Sequence, residues 1–573
     1  MRKVEHETDL CVVGGGMAGL LCAVAAARHG IRVILMHDRP VPGGNASSEI
    51  RVPIGGAYGR GNRETGILEE ICMDNFAVNN GAHMNWSVWD TVLYEKIISE
   101  KNLTALFNCS CLDARVENGR VVSVTGWQLT TETYHTVKAS YFADCSGDGI
   151  LAPLTGAGFM LGREARSEFG ETFGPDEPDL HTMGMSITFQ ARETDGPKPF
   201  VRPAWAYEYP TEADLPDVAH TLEHHLWWIE LGGMNDIIHD TEELKAELLR
   251  IAYGVWDHFK NHGAYGYENW ELEWMEFLPG KRESRRYKGA YILTQNDVEA
   301  GGKFDDTVAY AGWSMDDHFP EGFYYRGGHP TVHHKAPSPW GIPLRSLYSR
   351  DLPNLLFAGR DISATHAAFS SARVIATCAM MGQAVGTAVA QAVRDGCPVS
   401  GLNIPELQQT LLDDDCFLPG VERAVSPLAR RAKVSSEVVR NGRDRGEENL
   451  WIGKPGDCIE YTFDQPERVA SLRIVFDSDL DRHFSDRYHR SFQNMPHYYP
   501  LGEDRFNLPE TLVREFAVET VDRGGRVTRS VYENHRRLVR VPIGKTVTAV
   551  RLIPLKDNGC GSFRVFSAEP CEE

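Results

Sequence analysis

Residues 10–39 constrain the fold of this chain more than any other stretch. The mostly apolar run at 10–14 predicts a short buried strand, and the glycines at 14–19 have the spacing G-x-G-x-x-G. A helix of small residues is expected at 20–28, and a second strand at 32–36. Strand, glycine turn, helix and strand in this order predict the first βαβ unit of a dinucleotide-binding fold.

Each glycine of the motif has a separate mechanical role. Gly14 makes the tight turn that leaves the strand, and Gly16 lets a pyrophosphate approach the backbone because it has no Cβ. Gly19 allows the helix to lie close to the sheet. The N-terminus of the helix offers free N–H groups and the positive end of the helix dipole to the phosphates, and Met17 and Ala18 lie in the turn before it.

The ribose contact is less clearly marked. An acidic residue usually ends the second strand, but His37 stands at that position and Asp38 follows it. Either side chain is able to accept a hydrogen bond from a ribose hydroxyl, or the backbone alone holds the adenosine. The polar loop at 39–49 comes next, and its Gly43-Gly44 pair is able to turn backbone N–H groups toward a cofactor.

Composition limits the classes of function. The chain has 573 residues, 59 basic against 80 acidic side chains and a net charge of −21, which predicts two or three domains and argues against a nucleic-acid or anionic-membrane partner. Its 12 cysteines show no zinc-binding spacing. No secretory signal core or long apolar run is visible, so a reduced, cytoplasmic protein is expected.

The predicted fold class is α/β, with four segments. A Rossmann-like dinucleotide-binding domain is expected at 1–154 and again at 346–420, with an α+β substrate domain inserted at 155–345. The return segment contains a strand at 355–358 and a long helix at 375–393. Residues 425–573 have short alternating strands, which predict a β-sandwich.

Several separated motifs together resemble one family. They are RPVPGGNASSE (39–49), FADCSGDG (142–149), GREARSEFGE (162–171), PGKRESRRYKG (279–289) and AGRDISATHAAFSSARVIATCAMMGQAVGTA (358–388). Residues 1 to about 400 resemble the bacterial FAD-dependent oxidoreductase family, a relative of glutathione-reductase-type and, more distantly, fumarate-reductase flavoproteins. The C-terminal region resembles discoidin-like galactose-binding sandwiches.

The resemblance implies that FAD binds along three glycine-containing turns, called corners below, at 14–19, 146–149 and 359–361. Pyrophosphate would meet Gly14, Gly16 and Gly19, and Asp361 would accept from the ribityl hydroxyls. The full set of residues predicted to bind FAD is Gly14, Gly16, Met17, Ala18, Gly19, His37, Asp38, Arg39, Gly43, Gly44, Asn45, Ser47, Ser48, Val116, Ser146, Gly147, Gly359 and Asp361. No metal is expected.

His366 and Arg373 are the predicted catalytic residues. Oxidation of an alcohol needs a base near the hydroxyl, and His366 follows the predicted ribityl contact by five residues. Arg373 would stabilise negative charge on the reduced flavin or on the substrate. His329, His333, His334, Arg282 and Arg285 are held in reserve.

The expected reaction is oxidation of a ring carbinol of a sugar or glycoside by hydride transfer to flavin N5. Reduction of an activated double bond, with an arginine as acid, is the alternative reaction. A third alternative is a carbohydrate-binding protein whose flavin is structural. The expected partner is a small-molecule substrate, and the sequence leaves a homo-oligomer open.

Overall fold

A computed structural model describes residues 1–223, 225–482, 498–502 and 506–572. The chain divides into two compact units. The first unit comprises 1–58, 84–407 and 484–504, and the second comprises 59–83, 408–483 and 505–573. The four predicted segments do not separate 59–83, which lies within the predicted 1–154 domain.

Eleven α-helices are formed by the described residues. They are α1 Met17–Arg28, α2 Ile67–Val78, α3 Trp86–Ile98, α4 Leu151–Thr155, α5 Arg166–Phe169, α6 Thr241–Asp257, α7 Gln295–Glu299, α8 His366–Ala372, α9 Ile375–Asp395, α10 Ile404–Asp413 and α11 Pro427–Arg431.

The strands of the first unit are short except at its central sheet. They are β1 Arg2–Val13, β2 Val33–Met36, β3 Leu103–Leu106, β4 Cys109–Glu117, β5 Arg120–Gln128, β6 Thr133–Asp144, β7 Phe159–Met160, β8 Met185–Ser186, β9 Phe189–Glu193, β10 Glu230–Leu231, β11 Trp270–Met275, β12 Gly280–Lys281, β13 Arg286–Tyr287, β14 Thr307–Ala311, β15 Met315–His318, β16 Thr331–His334, β17 Trp340–Pro343 and β18 Leu355–Phe357.

The central sheet of the first unit has the strand order β3-β2-β1-β6-β5-β4, with β18 paired to β6. Strands β3, β2, β1, β6 and β18 run parallel, and Leu10 pairs with both Val33 and Tyr141. The carboxyl ends of β1, β6 and β18 therefore meet at one edge, where an open α/β sheet binds its ligand. The predicted Rossmann-like class is confirmed.

Small residues bring two helices of this sheet unusually close. A Cβ on Gly382 of α9 would lie 2.0 Å from the carbonyl oxygen of Ala18 in α1, and one on Gly386 would lie 2.2 Å from that of Cys22. Both helices are almost fully buried. The close contact fixes the beginning of α9 beside the glycine turn of α1.

The second unit contains one continuous antiparallel sheet. Its strands are β19 Lys433–Val434, β20 Trp451–Gly453, β21 Ile459–Phe476, β22 Glu515–Val521, β23 Val527–Glu533, β24 Leu538–Lys556 and β25 Phe563–Cys571. The order is β20-β25-β21-β24-β22-β23, with β19 paired to β21. The predicted antiparallel strands are confirmed, whereas their division into two facing layers stays a prediction.

No single helix among the described residues is long and apolar enough to cross a membrane. Helices α8 and α9 pass the length and composition test only as a pair, and a bend of 93° separates them.

Candidate active site

The glycine turn between β1 and α1 has the geometry that the sequence predicts. Gly14 has φ +97°, and a Cβ there would lie 2.4 Å from the carbonyl oxygen of Cys145 at the end of β6. A Cβ on Gly19 would lie 1.8 Å from the oxygen of Gly14. Gly16, in contrast, meets nothing closer than Gly44 Cα at 3.8 Å, so its backbone has room beside it.

The 39–49 loop lies directly on this glycine turn. Gly43 N–H donates to the carbonyl oxygen of Gly15 at 2.8 Å, and a Cβ on Gly44 would lie 2.9 Å from Gly16 Cα. Asn45 follows, and its side-chain amide donates to the carbonyl oxygen of Lys281 at 3.2 Å. The structure therefore brings the two predicted cofactor loops, at 14–19 and 39–49, into direct contact.

Two serines of that loop are fixed differently. Ser47 is completely buried, and its hydroxyl accepts from Glu49 N–H at 3.3 Å. Ser48 N–H donates to the carboxylate of Asp90 at 3.1 Å. Their predicted contact with FAD stays a prediction.

The His37 ring is buried and faces the glycine turn. Its Nδ1 accepts from Gly15 N–H at 2.9 Å, and its Nε2 donates to the carbonyl oxygen of Val41 at 3.0 Å. Both ring nitrogens are therefore used to brace the glycine turn. Asp38, whose side chain is 58% exposed, is the better placed of the two to accept from a ribose hydroxyl.

Arg39 lies close to the start of the β4 hairpin, whereas Val116 lies far along it. The carbonyl oxygen of Arg39 accepts from Asn108 N–H at 3.2 Å, and that of His37 accepts from Cys109 N–H at 2.8 Å. Cys109 begins β4, whereas Val116 lies at the other end of this edge strand, paired with Val121. The start of the hairpin, not Val116, is what the structure places against the nucleotide loop.

The other two glycine corners close around the same edge of the sheet. Ala358 N–H donates to the carbonyl oxygen of Asp144 at 3.1 Å, which joins the end of β18 to the end of β6. A Cβ on Gly359 would lie 3.4 Å from Ala18 Cβ, at the start of α1. Ser146 N–H binds the Asp144 carboxylate at 2.9 Å, and Gly147 lies against the Arg360 guanidinium.

Asp361 provides the test of whether a cofactor fits here. Its carboxylate is completely buried, and neither oxygen accepts a hydrogen bond from any described residue. Burial raises the pKa of Asp361 well above its ordinary value, and the nearby Asp144 carboxylate raises it further. An unpartnered buried carboxylate is costly unless a ligand supplies the donors, and the ribityl hydroxyls of FAD are suitable donors.

Comparison with known proteins agrees with this geometry. Residues 9–411 match the family described as FAD dependent oxidoreductase. The chain belongs to that family. The protein is therefore an oxidoreductase with FAD as its cofactor, as the sequence predicts.

Individual relatives are more distant. Over 208 residues the chain is 29% identical to a thiamine thiazole synthase from Thermotoga maritima, a match that covers 32% of this chain and 78% of that protein. A geranylgeranyl bacteriochlorophyll reductase-like protein from Thermoplasma acidophilum is 13% identical, with a TM-score of 0.32 over 72% of this chain and 85% of the other. The glycerol-3-phosphate dehydrogenase from Bacillus halodurans complexed with FAD is 15% identical, with a TM-score of 0.20 over 34% and 44%.

In this oxidoreductase His366 is clamped between two carboxylates. Its Nδ1 lies 2.9 Å from Glu283 Oε2 and its Nε2 lies 3.0 Å from Asp317 Oδ1. Burial alone lowers the pKa of His366, but the two carboxylates outweigh burial and raise the pKa to about 10. A pKa in this range keeps the imidazole protonated near neutral pH, with both nitrogens donating, so this environment does not favour the predicted role as general base, which stays a prediction.

The clamp extends into a buried chain of alternating charges. The fully buried Arg286 lies 3.1 Å from Glu283 and 3.1 Å from Glu164. Glu164 also accepts from His366 N–H at 2.9 Å, at the first residue of α8. His366 is thus a structural cation that joins α8 to the 281–286 run.

Arg373 is held by a second charged chain. Its Nη2 donates to Asp316 Oδ2 at 3.1 Å, and Asp316 Oδ2 lies 3.5 Å from His318 Nε2. His318 Nδ1 lies 2.6 Å from Glu230 Oε2, and Glu230 pairs with Arg282 at 3.4 Å. Successive residues of a strand face opposite sides, so Asp317 of β15 reaches the first chain while Asp316 and His318 reach the second.

Contacts on two sides connect this second chain to the cofactor loops. Lys281 accepts from Asn45, and the next residue, Arg282, pairs with Glu230. On the other side, Arg373 lies two residues before Ile375, the first residue of α9. His318 and Glu230 therefore lie between Arg282, which follows a residue bonded to the 39–49 loop, and Arg373, which precedes α9.

The sequence reasoning did not find His318, Glu230, Asp316 or Asp317. The available signal was a run of three polar residues in a short strand, Met315-Asp-Asp-His318. It identifies two polar faces but gives no partner for either. Of the reserve residues, Arg285 instead donates to the carbonyl oxygen of Asp148 at 3.2 Å.

Proposed function

We propose that this enzyme oxidises a carbinol of a sugar or glycoside, with His318 as the base that takes the hydroxyl proton. When bound, FAD supplies the hydride acceptor, N5 of its isoalloxazine. The buried Glu230–His318 pair beside the cofactor loops is the observation that supports this proposal most directly.

Glu230 prepares His318 for that role. The hydrogen bond of 2.6 Å from His318 Nδ1 to Glu230 fixes one tautomer and leaves the lone pair on Nε2. Glu230 is itself oriented by Gly184 N–H, which donates to its other oxygen at 2.8 Å. A carboxylate in this position stabilises the imidazolium that forms when His318 accepts the proton.

The surroundings of His318 suit a polyhydroxylated ring. The Trp227 ring lies 5.4 Å from His318 and 5.8 Å from His329, so an aromatic face stands beside hydrogen-bonding groups. Arg282 extends this set, because its Nη2 donates to Ser186 Oγ at 2.9 Å. A sugar presents an apolar face and a rim of hydroxyls, which such a mixture of groups is able to bind.

The double-bond reductase receives less support from these contacts. It needs arginines that are available to clamp a substrate carboxylate and to donate a proton. Arg282 already pairs with Glu230, and Arg373 already pairs with Asp316. A carboxylate substrate would have to displace both carboxylates of the protein, which favours the neutral carbinol.

The proposal is tested by mixing purified holoprotein with a panel of sugars and glycosides without oxygen. Loss of the yellow oxidised-flavin absorbance with one of them is the expected result. Recovery of colour in the chemically reduced protein on addition of an enoate would instead support the reductase. Binding of a sugar without any spectral change would support a structural flavin.

His318→Gln is expected to keep the yellow cofactor but to slow flavin reduction by about 100-fold, because a general base contributes at least that factor. Stopped-flow absorbance at saturating substrate measures the rate. His239→Gln is the matched control, since His239 also pairs with an aspartate, Asp236, but its side chain is 73% exposed. A His318→Gln protein that reduces at the parent rate would remove His318 from the reaction.

A further inference from the structure

The second charged chain continues from the buried site toward solvent. Asp316 of β15 stands directly opposite His333 of β16 in the antiparallel ladder. Asp316 Oδ2 lies 3.5 Å from His318 Nε2, and Asp316 Oδ1 lies 3.5 Å from His333 Nδ1. The exposed fraction of the side chain rises along the series, from 4% at His318 to 13% at Asp316 and 51% at His333.

We propose that Asp316 and His333 form the route by which a proton taken up at His318 leaves the site. This inference rests on the proposed function, because it assigns His318 as the base. A buried base must lose its proton before the next turnover, and the described contacts of Glu230 on the other side of His318 are with Gly184 N–H and the Arg282 guanidinium, neither of which accepts a proton. The Asp316 side is the one that reaches an exposed imidazole.

The transfer conserves every proton. The carbinol O–H proton passes to His318 Nε2 while the hydride leaves its carbon for the flavin. His318 Nε2 then gives the proton to Asp316 Oδ2, and rotation of the carboxyl about its Cβ–Cγ bond carries the proton toward His333 Nδ1. His333 then releases its other proton from Nε2 to water. Return of the remaining proton from Nδ1 to Nε2 restores the starting tautomer of His333.

The groups around Asp316 prevent its carboxylate from retaining a proton. Burial by itself raises the pKa of Asp316, but His318, Arg373 and His333 outweigh burial and lower it. A proton on Asp316 is therefore held weakly, so this carboxylate passes the proton on and does not retain it. The titratable and charged groups near Asp316 are His318, Arg373, His333, Arg282 and Tyr58.

His333 has two further contacts that keep its ring in place. Ser314 Oγ lies 3.0 Å from Nδ1, the nitrogen that faces Asp316. Thr331 Oγ1 lies 3.4 Å from Nε2, the nitrogen that would release the proton. His334, the next residue, stacks on Phe173 with ring centroids 3.5 Å apart.

His333→Asn is expected to slow steady-state turnover with an artificial electron acceptor by about 10-fold in weakly buffered solution, since proton release then limits the rate. Added imidazole should restore most of the rate, because a small base in solution replaces the missing side chain. His239→Asn is the control and should respond to neither change. An equal rate for His333→Asn and parent at low buffer, or equal stimulation of both by imidazole, would overturn the proposal.

A second measurement does not depend on turnover. The rate at which diethyl pyrocarbonate labels His333 is followed peptide by peptide by mass spectrometry. Asp316→Asn should change this rate at a fixed pH, because the negative charge that faces Nδ1 at 3.5 Å is removed. The labelling of His239 should not change. An unchanged labelling rate for His333 would mean that Asp316 and His333 are not coupled.

The two measurements separate failure of the route from failure of the proposed function. If no carbinol reduces the parent flavin, the proposed function fails, and the labelling experiment still decides whether Asp316 and His333 are coupled. If parent and His333→Asn turn over a carbinol equally fast at low buffer, the reaction stands and the route does not.

Discussion

Asp361→Ala is expected to give a protein that is purified without its yellow colour, with affinity for FAD lowered by about 100-fold or more. The carboxylate is completely buried with both oxygens unpartnered among the described residues, so it is poised for two hydrogen bonds from the ribityl chain. A hydrogen bond contributes up to about 1.5 kcal/mol, so the loss of two of them gives about this loss of affinity. Fluorescence titration of the apoprotein with FAD measures it.

A second substitution at the same position, Asp361→Asn, should make the apoprotein more stable than the parent. Asp361→Asn keeps the shape but removes a carboxyl that burial holds at a raised pKa. A carboxyl whose pKa is higher in the folded state stabilises the fold below its unfolded pKa and loses that contribution as the pH rises through the folded pKa. The parent apoprotein should therefore become less stable between about pH 4 and neutral pH relative to Asp361→Asn.

Thermal unfolding of both apoproteins across this pH range is the measurement. Asp395→Ala, at the end of α9 where the side chain is 33% exposed, is the control for loss of an aspartate. A yellow Asp361→Ala protein with parent affinity would show that another group holds the ribityl chain.

The cofactor site was largely predictable because its glycines act through backbone geometry. Gly14 and Gly19 are required by close approaches of 2.4 Å and 1.8 Å that no side chain permits, so the sequence itself records the turn. The parallel arrangement of strands then brings the corners at 146–147 and 359–361 to the same edge. His37 was harder to interpret, since only the structure shows that its ring turns inward to Gly15.

The charged chains could not be predicted because they depend on pairs of side chains that are distant in sequence. His366 follows a recognisable glycine corner, but its pKa is set by Glu283 and Asp317, which come from other strands and loops. Both ring nitrogens of His366 lie within 3.0 Å of a carboxylate, whereas in His318 only Nδ1 lies that close to one and Nε2 is 3.5 Å from Asp316. The sequence around His366 does not record this difference.

The second unit shows a similar limit of local patterns. The alternating runs at 459–463 and 471–475 predict two strands, but the structure has the single strand β21, Ile459–Phe476. Its pairing with β24 shifts register between Thr462 and Glu467 and again between Val469 and Ser471. These bulges interrupt the alternation of polar and apolar residues while the strand continues, so the polar residues between the runs resembled a turn.

His366→Gln is expected to destabilise the first unit by about 3 kcal/mol near neutral pH. The substitution removes the cation that separates Glu283 and Asp317, and loss of one partner from a buried ion pair costs about 3–5 kcal/mol. Glu283 is completely buried and cannot regain this interaction from water. The midpoint of urea unfolding, compared between parent and variant, measures the loss.

The pH dependence distinguishes this role from simple packing. The pKa of His366 is raised from 6.5 to about 10, so its contribution to stability is complete below pH 6.5 and is lost as the pH rises through about 10. The difference between parent and His366→Gln should therefore be largest near pH 6.5 and shrink toward pH 10. His239→Gln, which alters an exposed ion pair, should change stability by less than about 0.5 kcal/mol at either pH. A difference between parent and His366→Gln that stays constant with pH would show that His366 contributes shape and not charge.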